Sequence, residues 1–214
     1  MQLWSYFRSS AAYRVRIALN LKNLAADIIS VDLLAQAKAA PAAAWPAANP
    51  QRLVPVLVDG DITLTQSLAI MEYLEEMAPM PPLLPADAVG RARVRALALC
   101  VACDIHPLGN LRVLNYLRQN LAQDEAAVQR WAQHWIQAGL SAMEQLLAQS
   151  AATGEFCHGA TPGLADCCLI PQVFNARRFN CSLEAYPQIV RIDARCRELP
   201  AFRLAAPSAQ ADFR

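Results

Sequence analysis

Charge is scarce in this sequence. Only 17% of its 214 residues are charged, and 19 Lys and Arg against 18 Asp and Glu leave a formal net charge of +1. That balance gives no electrostatic footprint for nucleic acid or for an acidic membrane surface. Arg91, Arg93 and Arg95 are close in sequence, but alternate positions spread around a helix, so they are read as a solvated face. Histidine is rarer still. His106, His134 and His158 stand at no spacing that suits zinc, so no metal is expected. No run approaches the roughly 20 apolar residues that span a bilayer. No basic segment followed by a long apolar one opens the chain, so a cytoplasmic location is expected. Apolar side chains are plentiful at 55%, which excludes disorder, and the length allows one large domain or two small ones with ample core.

The seven cysteines (Cys100, Cys103, Cys157, Cys167, Cys168, Cys181, Cys196) are odd in number, and several sit in apolar helical stretches. They are read as reduced, buried thiols of an intracellular chain. Cys100-Val101-Ala102-Cys103 has the spacing of a redox pair. Such a pair normally opens the helix after a strand, whereas this one falls inside a long helical pattern.

Hydrophobic periodicity changes along the chain. Residues 2–7 read as a strand, 11–21 as an amphipathic helix and 28–31 as a second strand. The alanine-rich stretch 33–48, broken by Pro41 and Pro46, predicts a short irregular helix. Strands follow at 53–58 and 62–64, joined at Asp59-Gly60, then a helix over 66–77. A helix between the first two strands favours parallel pairing, and the Asp-Gly turn favours a hairpin. This β-α-β-α-β-β-α order is a thioredoxin-like arrangement. Pro79-Met80-Pro81-Pro82-Leu83-Leu84-Pro85 reads as a linker. Helices are then expected over 88–120, 125–149, 164–179 and 186–198. The expected fold class is α/β plus all-α: a thioredoxin-like domain over 1–80, then an all-helical domain over 86–214.

Three places could carry chemistry. At Arg8-Ser9-Ser10 a strand gives way to a helix N-terminus, where free N–H groups and the positive end of the helix dipole collect. Two hydroxyls and a guanidinium there can hold an anion or activate a thiolate; alternatively a serine simply caps the helix. Pro55 cannot donate to a strand ladder, so it sits at an edge or follows a cis bond. A cis bond would leave Val54 free to pair with an extended ligand. Gln66-Ser67 opens a second helix, where Ser67 either caps or binds a carboxylate. Together the three would surround one groove suited to a small peptide bearing a thiol and a γ-linked amino acid.

The stretch Ser9-Ser10-Ala11-Ala12-Tyr13-Arg14-Val15-Arg16-Ile17-Ala18-Leu19 resembles the signature of the zeta class of cytosolic glutathione transferases. So do Asn49-Pro50 before Leu53-Val54-Pro55, Gln66-Ser67-Leu68-Ala69-Ile70 and Glu72-Tyr73-Leu74-Glu75-Glu76. Further matches are Ile105-His106-Pro107-Leu108-Gly109-Asn110-Leu111, Ala165-Asp166, Pro171-Gln172-Val173, Asn175-Ala176-Arg177-Arg178-Phe179, and the tail from Ala206-Pro207 to Asp212. The resemblance covers nearly the whole chain. The class includes maleylacetoacetate isomerases and bacterial maleylpyruvate isomerases, and some members substitute α-haloacids.

The resemblance implies a homodimeric, glutathione-dependent cis–trans isomerase acting on a small dicarboxylic maleyl substrate in aromatic amino-acid breakdown; a plain glutathione-binding module is the non-enzymatic alternative. It assigns Ser9 to the thiolate with Ser10 in support. Gln66 and Ser67 fall to the γ-glutamyl end, and Val54 to the cysteinyl backbone. His106 and Asn110, expected on one helix face at i and i+4, reach glutathione in this class, with Asp104 and Arg112 as weaker candidates. Arg8 and Arg178 are implied to hold the substrate carboxylates, with Arg177 as a substitute for Arg178. A free thiol has a pKa of about 8.5, and lowering it by about 2 units takes about 2.7 kcal/mol of preference for the anion. Two departures stand out. Ala11 replaces the signature cysteine, and Gly163 replaces the Ser or Thr that caps the helix before Ala165-Asp166. Asp166 is expected to reach back to that helix start.

Overall fold

Leu3 is fully buried between exposed Gln2 and half-buried Trp4, and this alternation makes β1 (Gln2–Ser5). The computed structural model describes residues 1–33 and 49–213. It divides into two compact units, Met1–Leu83 with Leu199–Arg214, and Leu84–Glu198. The irregular helix expected over 33–48 lies, apart from Leu33, outside the described residues.

In the first unit β1 is followed by α1 (Ser10–Leu21), β2 (Asp27–Ser30), β3 (Val56–Asp59), β4 (Ile62–Thr65) and α2 (Ser67–Met77). The strand order is β2-β1-β3-β4. β1 and β2 pair in parallel with Leu3 opposite Ile28, as the intervening helix requires. β3 pairs antiparallel with both β1 and β4, and Gly60, at φ +56, makes the β3–β4 turn. The inner strands carry the buried Leu3, Val56 and Leu57, while β2, at the edge, is largely exposed. This is the thioredoxin-like arrangement that the periodicity predicts.

α1 buries Ala12, Val15, Ile17 and Ala18, and with them the charged Arg14 and Arg16. The last residues of the chain help satisfy these polar groups. α8 (Pro200–Ala205) accepts from Arg16 Nε at Ala205 O (3.0 Å) and from Asn20 Nδ2 at Ala201 O (2.9 Å). The segment after Leu199 therefore packs with the first unit, although helical content alone groups it with the second. Lys22 and Glu75, with side chains 0% and 9% exposed, pair at 2.6 Å between α1 and α2. Lys22 also donates to Ala78 O and Pro81 O, and Glu75 accepts from Leu83 N. One buried ion pair thus fastens the end of this unit's main segment.

The second unit holds α3 (Ala88–Leu99), α4 (Leu111–Gln119), α5 (Glu125–Ala148), α6 (Leu164–Arg178) and α7 (Pro187–Glu198). The single helix expected over 88–120 is not one helix. After α3 the backbone widens into a π turn (Cys100–Ile105), tightens into a 3-10 turn (His106–Gly109) and restarts at α4. Pro107 has no N–H to donate, and Asn110 is extended (φ −65, ψ 145) with Oδ1 capping Arg112 N at 3.0 Å. Gly139 of α5 admits the wide turn, because a β-carbon there would lie 2.2 Å from Ile105 Cγ1. His106 and Asn110 consequently do not share a helix face. By length and composition Ala88–Gln119 is apolar enough to cross a membrane, a property that counting uninterrupted apolar runs misses.

Arg93 corrects the reading of a solvated arginine face. It donates to Cys157 O (2.7 Å) and Thr153 Oγ1 (2.8 Å), and burial lowers its pKa. α6 is almost wholly buried, Pro171 included. Its start is held as expected: Asp166, 1% exposed, accepts from Gly163 N and Cys157 N, both at 2.9 Å.

Removing one partner of the Lys22–Glu75 pair strands a buried charge, so Glu75→Ala should lower unfolding stability by about 3–5 kcal/mol, read from urea midpoints. A loss under about 1 kcal/mol would show the pair to be incidental.

Candidate functional site

The strand-to-helix junction of the first unit is a turn closed by Ser9 N–H donating to Tyr6 O at 2.9 Å. Ser9 is extended (φ −66, ψ 113), and its Oγ accepts from Ala12 N at 3.2 Å. It is therefore the N-cap of α1. Capping uses a lone pair of the hydroxyl and leaves its proton to donate elsewhere, so the two readings of this serine are compatible. Ser10, the first helical residue, is buried. The first turn of α1 contains no acidic residue, so the positive end of its dipole is not neutralised from within. Arg8 is exposed, its guanidinium carbon 5.8 Å from the Tyr6 ring centroid and 5.4 Å from that of Phe7.

Beneath this turn lies Arg16, which donates to Ser5 Oγ (2.8 Å), Tyr6 O (3.4 Å) and Phe7 O (3.1 Å). Burial pushes its pKa down to about 10, with Tyr13 and Asp212 opposing the shift, so it is cationic at neutral pH.

Val54 precedes a cis peptide bond to Pro55, the second of the two alternatives for that proline. It stands outside the ladder, which begins at Val56 opposite Trp4. Asn49 Nδ2 donates to Leu53 O at 3.0 Å and braces the approach. Val54 packs in one apolar cluster with Tyr6, Phe7 and Ala12, so it is brought against the segment that carries Ser9.

Gln66 adopts φ 70, ψ 115, a left-handed conformation costly for a non-glycine residue and characteristic of functional sites. Its Nε2 donates to Gln51 Oε1 at 3.0 Å. Ser67 opens α2, whose first turn also lacks acidic residues, and its Oγ accepts from Arg14 Nη1 at 3.1 Å. Arg14 is 2% exposed and places a second buried cation beside a helix start. Reasoning from individual residues passed over Arg14 and Arg16. The available signal was two guanidinium groups at core positions of an amphipathic helix.

In the second unit Asp104 is exposed on the π turn, His106 begins the 3-10 turn, and Asn110 caps α4 ahead of exposed Arg112. Arg178 ends α6. Its Nε and Nη2 both donate to Asn175 Oδ1 (3.2 and 2.9 Å), and its guanidinium carbon lies 4.6 Å from the Phe179 centroid. Arg177 is bound to Asp193 at 2.6 Å. A β-carbon on Gly109 would lie 4.0 Å from Asn175 Nδ2, so the 3-10 turn and the anchor of Arg178 are neighbours.

Four of the seven thiols are shifted away from activation. Burial raises the pKa of Cys100, Cys157, Cys181 and Cys196, which opposes nucleophilic or redox use. Among the described residues no group of three His, Cys, Asp or Glu is placed to hold a metal ion. The first unit instead offers two helix N-termini, three serine hydroxyls and two buried guanidiniums, an arrangement suited to a small ligand with several anionic groups.

Comparison with known proteins agrees in kind. The N-terminal domain pattern of glutathione S-transferases matches residues 8–77, and the C-terminal domain pattern matches residues 125–211. Maleylacetoacetate isomerase of Rhizobium meliloti is 52% identical over 206 residues, covering 96% of this chain and 95% of that one. A holo structure of maleylpyruvate isomerase, a bacterial zeta-class glutathione S-transferase, superposes with a TM-score of 0.96 at 51% identity over 100% of both chains. Maleylacetoacetate isomerase from Anaeromyxobacter dehalogenans, solved with dicarboxyethyl glutathione and citrate in its active site, gives 0.87 at 45% identity over 100% of this chain and 97% of that one.

Because Ser9 caps α1, Ser9→Ala should cost about 1 kcal/mol of stability and Ser9→Gly only a few tenths, measured by thermal or urea unfolding. Equal losses in the two variants would remove the capping role.

Proposed function

The chain belongs to the glutathione S-transferase family, in its zeta class, and from that premise we propose that it is a glutathione-dependent cis–trans isomerase converting maleylacetoacetate to fumarylacetoacetate. The observation that carries this reading is the pair of acid-free helix N-termini in the first unit, each bearing serine and backed by a buried arginine. Glutathione has an anion at the γ-glutamyl end and becomes an anion at sulfur, so this donor set fits it.

When bound, glutathione supplies a thiolate that adds reversibly to the maleyl double bond, which rotates while single and re-forms trans. The protein's own task is electrostatic. Ser9 donates its free hydroxyl proton to sulfur at the α1 N-terminus, and Ser10 supports it. Both favour the anion by part of the ~2.7 kcal/mol that two pKa units require. Gln66 and Ser67 hold the γ-glutamyl end, with Arg14 fixing the Ser67 hydroxyl, and Val54 offers its backbone to the cysteinyl portion. His106, Asn110, Asp104 and Arg112 are assigned to glutathione as well. Arg8 and Arg178 hold the carboxylates and screen a dianion from the thiolate. The Arg177–Asp193 ion pair favours Arg178 over its neighbour for that role. The dicarboxyethyl glutathione in the Anaeromyxobacter relative is the kind of thioether that thiol addition to a butenedioate leaves, which supports the chemistry.

Maleylpyruvate is the second reading, favoured by the likeness to a maleylpyruvate isomerase. The two substrates share the maleyl end and differ in the acyl tail. We assign the chain to a cytoplasmic homodimer of aromatic amino-acid breakdown, with a thioredoxin-like domain over 1–80 that Leu199–Arg214 joins, and a helical domain that ends at Glu198 rather than at 214. A sedimentation mass of one chain would refute the dimer.

Turnover of both substrates, with and without glutathione, tests the proposal. Glutathione-dependent isomerisation that strongly favours one substrate is expected, and no turnover of either overturns it. Removing the cationic grip by Arg8→Ala with Arg178→Ala should lower kcat/KM at least about a hundredfold while glutathione affinity holds. An unchanged kcat/KM would remove both arginines from the site.

A further inference from the structure

β1 ends at Ser5, so Phe7 N–H lies beyond the sheet's ladder. It is nonetheless bonded: Asp212 Oδ2 accepts it at 3.0 Å. Phe213 meets the Phe7 ring edge-on, with centroids 5.7 Å apart and planes at 89°. The same ring lies against the Arg8 guanidinium, 5.4 Å from centroid to carbon. Phe7 C=O in turn accepts from Arg16 Nη2 at 3.1 Å.

Phe7 and Arg8 are the two central residues of the turn that Ser9 N–H closes onto Tyr6 O. A turn held by one backbone bond can pivot about its central peptides. Here the core fixes the C=O of Phe7, and the C-terminal tail fixes its N–H and its ring. The tail is itself folded to deliver Asp212. Gln210 Nε2 donates back to Leu204 O (2.9 Å) and Ala206 O (3.0 Å), and Phe213 N–H closes a turn onto Gln210 O (3.1 Å).

We propose that Asp212 is a positioning residue for the reaction. It touches neither substrate nor sulfur but acts through Phe7 to fix where Arg8 is presented. This rests on the functional reading of Arg8 given above. A carboxylate suits the task because a charged acceptor holds an N–H more firmly than a neutral one. Small displacements of a substrate-gripping group are costly to catalysis.

The test uses the full chain with Asp212→Ala and Asp212→Asn. Asp212→Ala should raise KM for the maleyl substrate and lower kcat/KM about tenfold, with KM for glutathione changed less than about twofold. Asp212→Asn keeps an acceptor oxygen and should restore most of the activity. In the Arg8→Ala background Asp212→Ala should cost little further kcat/KM, because both act on one group. Amide hydrogen exchange gives a readout independent of turnover. Protection of Phe7 and Ser9 should fall in Asp212→Ala while that of the α1 interior holds. Unchanged kinetics and exchange in Asp212→Ala, or losses that add fully to those of Arg8→Ala, overturn the proposal. If Asp212→Ala does not fold, the shorter acceptor of Asp212→Ser is expected to give the same KM split, and its absence is equally decisive. If the unaltered protein turns over neither substrate, the isomerase reading fails, and exchange still decides whether Asp212 holds the turn.

Discussion

The guanidinium of Arg16 is the interaction on which the rest of the first unit depends. It is 3% exposed and donates to Ser5 Oγ and to the carbonyls of Tyr6, Phe7 and Ala205. A buried charge is tolerated only when such partners surround it. Four acceptors drawn from the end of a strand, a turn and the chain's last α-helix therefore converge on one side chain of α1. The turn that presents Arg8 and Ser9 takes its shape from this convergence, and the site inherits the rigidity of the core.

The two helix starts of that unit work by the same physics with different accessories. At α1 the serine caps the helix and keeps its proton, and the cation beneath it is spent on backbone carbonyls. At α2 the serine is bonded by Arg14 instead, and the residue before it is held at φ 70. The first arrangement favours a compact anion against a hydroxyl. The second favours an extended group that meets both backbone and side chain, which fits the proposed division between sulfur and γ-glutamyl end.

The order of elements was legible because it rests on local signals. Periodicity located the strands and helices, and Asp59-Gly60 named the hairpin. Ser9 was equally legible, since capping chemistry is local, whereas Ser67 does not cap α2: Gln66 is the N-cap without a side-chain cap bond, and the Ser67 hydroxyl accepts from Arg14 instead. What escaped depends on distant partners. The break between Cys100 and Asn110 needs Gly139 of another helix to admit the wide turn, and nothing within the segment except Pro107 announces it. Arg93 looked solvated because its acceptors lie in the loop at residues 153–157. Arg14 and Arg16 read as part of a motif, whereas their roles follow from acceptors that tertiary packing supplies. The tail's attachment to the first unit was hidden for the same reason.

That attachment bears on how the chain is made. Domains generally fold as units during synthesis, N-terminal first. Here the unit that begins at Met1 also contains Leu199–Arg214. Arg16 lacks its Ala205 acceptor, and Phe7 its Asp212, until those residues leave the ribosome. The helical unit between them is complete in sequence sooner. The first unit to be started is thus finished only after the helical unit between its two segments has been made.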